Sequence, residues 1–94
     1  MRTNNEQSEK VFTTLDAYIS GFLTLKGFIP RFIEQGDKVV FCFNESDELD
    51  RAIADYNNGA VVEASRLALA VKMLKGKIHS LRRSNGNERI YQVM

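Results

Sequence analysis

Residues 38–44, KVVFCFN, form the stretch that most constrains this chain. Read as a strand, it places Val39, Phe41 and Phe43 on one face and Val40 and Cys42 on the other. Both faces are largely apolar, so the strand belongs in the middle of a sheet or under a cover on both sides. A turn, QGDK, precedes it, and FIPRFIEQ (28–35) before that reads as extended. Pro30 has no N–H to give a ladder, so this partner strand is an edge, or begins after the proline. The two runs make a β-hairpin.

Helices flank the hairpin. Before it, Leu15, Tyr18, Ile19, Phe22 and Leu23 recur at helical spacing. Thr13 with Asp16 resembles a capping box, with Thr14 as the other reading of the cap. Gly27 supplies a left-handed stop onto which Phe28 can fold back. KVFTT (10–14) is a β-prone run ahead of this helix. After the hairpin, Ser46 is a natural N-cap, followed by Asp47 and Glu48 in the first turn, where they complement the helix dipole. Leu49, Ile53 and Tyr56 face inward, and NNG (57–59) ends the helix. Ala60, Val61 and Val62 read as a further short extended piece. The last helix, residues 63–83, is the longest. Its seam of Ala64, Leu67, Val71, Leu74, Ile78 and Leu81 alternates steps of three and four. Leu69 and Met73 form a second apolar strip on roughly the opposite side.

The expected order is β–α–β–β–α–(β)–α, one small α+β domain over residues 11–83 with a central hairpin and a long C-terminal helix. Residues 1–10 are polar and read as a disordered tail without the apolar core of a secretory signal. SNGN (84–87) reads as a loop, and residues 89–93 as a short strand or loose end. No apolar run is long enough for a membrane helix. The single cysteine permits no internal disulfide, which suits a reducing, cytoplasmic setting.

The net charge of +1 conceals two opposed halves. Residues 1–65 hold 6 basic and 11 acidic side chains, and residues 66–94 hold 7 basic side chains against the single acid Glu88. The basic end contains Lys72, Lys75, Lys77, His79, Arg82 and Arg83. Such asymmetry suits contact with nucleic acid, attraction between the halves, or pairing between copies. These charges lie on several sides of the helix and also suit its C-terminal dipole as a solvated face. No set of side chains arranged to read base edges is evident.

Taken together, F-x-T-x-D (Phe12, Thr14, Asp16), LKGF (Leu25 to Phe28), KVVFCFN, DEL (Asp47 to Leu49), YNNG (Tyr56 to Gly59) and LKGKI (Leu74 to Ile78) resemble a small bacterial, archaeal and phage domain catalogued only as a domain of unknown function. The resemblance spans residues 11–82. It rests on packing and turn positions and implies a fold without implying catalytic or ligand residues.

The residues themselves offer little chemistry. His79 is the only histidine and Cys42 the only cysteine; they lie 37 positions apart, and no catalytic or zinc-ligand spacing joins them. Cys42 reads as a small core hydrophobe. NESDELD (44–50) is rich in carboxylates but lacks the glycine and alternating ligands of a calcium loop. Phe32, Phe41 and Phe43 lack the interleaved glycine and basic residues of an RNA-binding sheet, so they read as core. Gly76, inside a helical pattern, reads as a point of close packing, or as a kink.

The expectation is a non-enzymatic protein-interaction module with no metal, cofactor or small-molecule substrate. Its candidate interface is Leu69 and Met73, and its partner another protein or a second copy paired through helix 63–83. The alternative is a nucleic-acid-binding accessory factor gripping phosphates through Lys72, Lys75, Lys77, His79, Arg82 and Arg83.

Overall fold

A computed structural model describes the backbone of residues 10–91 and the side chains of residues 10–82. The elements are β1 (Val11–Thr14), α1 (Ala17–Leu25), β2 (Arg31–Gln35), β3 (Lys38–Asn44), α2 (Asp47–Asn57) and α3 (Ala64–Tyr91). The architecture is α+β. One three-stranded antiparallel sheet has the order β1–β3–β2, so β3 is the central strand. The tail expected over residues 1–10 lies, apart from Lys10, outside the described residues.

β3 is buried from Val39 through Phe43, on both faces. On the inner face, Phe12 pairs with Phe43 across β1 and β3, and Phe32 with Phe41 across β2 and β3. Their ring centroids lie 6.5 Å and 5.6 Å apart, within the range where tilted aromatic pairs attract. Ile19, Phe22 and Leu23 from α1, Leu49 and Ala52 from α2, and Leu74 from α3 complete this core. On the other face, Val40 and Cys42 are also buried. Arg31, opposite Cys42 in the ladder, lays its guanidinium across the strand: Nη2 donates to Asn44 Oδ1 at 2.7 Å and lies 3.5 Å from Cys42 Sγ. This helps explain how Cys42 is fully buried.

The ends of the elements follow from local chemistry. β2 begins at Arg31, immediately after Pro30. Gly36 takes φ +65° while Asp37 stays at negative φ, the sign pattern of a type II′ hairpin turn. α1 is capped by Asp16, whose carboxylate accepts from the N–H groups of Tyr18 and Ile19; Thr14 instead accepts from Asp16 N. The cap is therefore Asp16, not Thr13 or Thr14 as the sequence suggests. At the other end, Phe28 N donates to Leu23 O and Gly27 N to Thr24 O, with Gly27 at φ +99°. That is a Schellman motif, and Phe28 folds back against the core as expected. Ser46 caps α2 through Leu49 N.

Three further expectations are corrected. Residues 60–63 pair with no strand: Val61 is exposed and Val62 packs on the core, so the segment is a connector. α3 does not stop at 83 but continues through SNGN to Tyr91, replacing the expected loop and short strand; residues 92–94 lie outside the described residues. No proline interrupts it there, and a glycine inside a helix costs only about 1 kcal/mol relative to alanine. Beyond its own helical turn, no heavy atom of the described residues lies within 4 Å of where a Gly76 Cβ would stand, so it is not a packing point. The close approach is at Gly21 on α1, where a Cβ would lie 2.9 Å from Val71 Cγ2. Gly21 and Ser20 are both buried, and Ser20 Oγ is satisfied by donating to Asp16 O at 2.9 Å. The missing side chain at Gly21 lets α1 and α3 form the largest contact between elements.

Candidate functional site

α3 buries one face through Val71 and Leu74, with Leu67, Ile78 and Leu81 half-buried beside them. Ala64, expected in this seam, is exposed at the helix start. Ala70, outside the expected seam, is buried. Leu69 and Met73 lie one turn apart on a neighbouring face and remain 57% and 66% exposed. They are not stranded on a convex surface. They form one wall of a groove of about 500 Å³, whose other wall is Thr24 and Leu25 of α1 with Pro30 and Phe32 at the start of β2. Ala70 and Leu74 lie between them, and Arg66 and Lys77 complete the lining.

The groove exists because the chain turns sharply after α1. The Schellman motif at Gly27 reverses direction, and Pro30 carries the backbone alongside α3 before β2 can pair. The proline has no N–H, so its ring borders the cleft without a backbone donor to satisfy at that point. The lining is apolar apart from a threonine and two cationic side chains, and it contains no carboxylate. A cavity that encloses a small molecule buries most of that molecule's surface. Here Leu69 and Met73 are more than half exposed, so the groove is open to solvent along that wall.

The six candidate phosphate contacts do not form one group. Lys77 belongs to the groove. At ~100° per residue, Lys72, Lys75, His79 and Arg82 share an arc on the other side of the buried seam, and all four are exposed. Lys75 is drawn across to α1, its Nζ 5.5 Å from the centroid of Tyr18, a cation–π distance. The Arg83 side chain lies outside the described residues. His79 and Cys42 are not brought together: one is exposed on α3, the other sealed inside the sheet. Phe41 and Phe43 are buried and Phe32 packs against the core, so the inner sheet face presents no stacking platform. Among the described residues no cluster of three or more His, Cys, Asp or Glu side chains could hold a metal ion, and no helix is long and apolar enough to cross a membrane.

A family model described as a domain of unknown function (DUF5659) matches residues 9–80. The chain belongs to the DUF5659 family. The DUF5659 match contains every residue that lines the groove and stops short of Arg82. No curated protein and no solved structure matches the chain.

Sequence reading reached one wall of the groove, Leu69 and Met73, through their departure from the seam of α3. It missed Arg66, Thr24, Leu25, Pro30 and Phe32. These come from three separate elements, and only the fold juxtaposes them. The available signal was weak: an apolar helix end and a proline-started strand in immediate succession.

Proposed function

We propose that this protein is a non-catalytic protein-interaction module whose contact surface is the groove beside α3. The observation that carries this reading is the pairing of Leu69 and Met73, exposed and one turn apart, on an apolar concave lining. Other large exposed apolar residues, such as Ile29 and Val61, lie outside this lining. Scattered apolar residues are normal on a protein surface, whereas a contiguous concave set marks contact with another molecule. A second copy of the chain, or a different protein, is the occupant.

The test is selection of binders from an unbiased peptide display library, followed by competition. Most selected binders should be lost from the Leu69→Glu/Met73→Glu protein and kept by the Lys72→Gln/Lys75→Gln/Arg82→Gln protein. Binders indifferent to the first pair of changes overturn the reading.

A second reading is nucleic-acid contact, favoured by the shared arc of Lys72, Lys75, His79 and Arg82. It predicts salt-dependent binding of generic duplex DNA or single-stranded RNA. Affinity should fall on the order of a hundredfold between ~50 and ~200 mM salt if about four phosphates are engaged. Absence of binding at the lower salt removes it.

A further inference from the structure

We infer, resting on the groove reading above, that the groove takes an amphipathic helix of another protein, apolar along one stripe and acidic at its flanks. The charged lining consists of two cations, Arg66 and Lys77, and no acid. Neither cationic head has a hydrogen bond or ion pair among the described residues. They stand on the same side of α3, eleven positions apart in the sequence, which is ~16 Å along the axis at ~1.5 Å per residue. Leu69, Ala70 and Met73 lie between them. The surface is thus an apolar strip about three turns long with a positive charge at each end. A helix laid along it meets apolar side chains at its centre and needs carboxylates near both ends.

The same charges argue against two ways in which a second copy could fill the site. In a two-fold pairing the groove meets itself. Antiparallel contact that sets Leu69 of one copy on Met73 of the other also brings Arg66 of one alongside Lys77 of the other, like charge on like. The chain's own acidic helix, α2, has the right sign but the wrong surface. Its large apolar residues Leu49, Ile53 and Tyr56 are turned into the core, and its exposed positions are Asp47, Glu48, Asp50, Arg51, Ala54, Asp55 and Asn57. It has no large apolar side chain to offer a groove.

The experiment uses the full chain and a display library of helical peptides about four turns long, with an apolar stripe and flanks randomised among Glu, Lys, Gln and Ala. On the wild-type protein, selection should enrich Glu at flanking positions about three turns apart. On the Arg66→Glu/Lys77→Glu protein the preference should reverse to Lys, with affinity for the Glu-flanked peptides reduced on the order of tenfold or more. Peptides that are lost from Leu69→Glu but show no flank preference overturn this inference and leave the groove reading intact. Peptides that survive Leu69→Glu overturn the groove reading itself. A concentration-dependent dimer in sedimentation velocity, displaced by the selected peptides, assigns the groove to a second copy and overturns the inference.

Discussion

Replacing Gly76 by alanine adds a methyl group that meets no heavy atom of the described residues within 4 Å beyond its own helical turn. The residue is exposed on α3, so the change should act through helix propensity and the unfolded chain alone. It should stabilise the protein by about 1 kcal/mol, which for a domain of this size raises Tm by ~4–8 °C. The identical change at Gly21 brings the same propensity gain but meets α3. The new methyl would stand 2.9 Å from Val71 Cγ2, 3.4 Å from Val71 N and 3.5 Å from Leu67 Cδ1. Valine in a helix has one strongly preferred side-chain rotamer, so Val71 cannot swing aside freely. The helices must separate, and overpacking of this kind costs ~1–3 kcal/mol. The net effect at Gly21 should be a loss of up to ~2 kcal/mol. Thermal and urea unfolding of the two single variants, with Val71→Ala added as a double-mutant cycle, measure it. Removing Cγ2 should rescue Gly21→Ala with a coupling of about 1 kcal/mol or more. A Gly21→Ala protein as stabilised as Gly76→Ala, with no coupling to Val71, would refute the packing argument.

Asp16→Ala should destabilise by about 1 kcal/mol, read by urea unfolding, because its carboxylate satisfies two N–H groups at the start of α1. Leu69→Glu and Met73→Glu should leave stability within about 0.5 kcal/mol, whereas Leu74→Ala, on the buried side of the same helix, should cost ~2–5 kcal/mol; the same unfolding assay separates them. The Cys42 thiol should react with an aromatic disulfide reagent only at the rate at which the sheet opens. Arg31→Ala, which uncovers it, should accelerate that reaction; an unchanged rate would show that Arg31 does not shield the sulfur.

Much of the fold was legible because it is written in local patterns. The two-faced apolar character of KVVFCFN placed β3 at the centre of the sheet, and Gly27 with Phe28 announced the end of α1. The errors arose where position is decided by distant residues. Ala60 to Val62 have strand composition, but an extended segment becomes a strand only beside a free edge. Nothing in the local sequence separates Gly21 from Gly76, since the difference is what stands opposite: Val71 for one, open solvent for the other. SNGN looked like a stop because its residues favour turns, yet no residue in it forbids a helix already running. The groove was half legible. Leu69 and Met73 broke the periodicity of α3 and so stood out, while Pro30 and Phe32 reach the same cleft only after the chain reverses at Gly27.

Methyl NMR of the full chain with helix peptides selected for binding shows whether the strip at Leu69 and Met73 is where this protein meets its partner. The Met73 ε-methyl and Leu69 δ-methyl resonances should shift first and furthest, with Leu25 following across the groove. Shifts centred on the outer sheet face around Val11 and Val40, or beside His79 on the far side of α3, with Leu69 and Met73 unmoved, would contradict it.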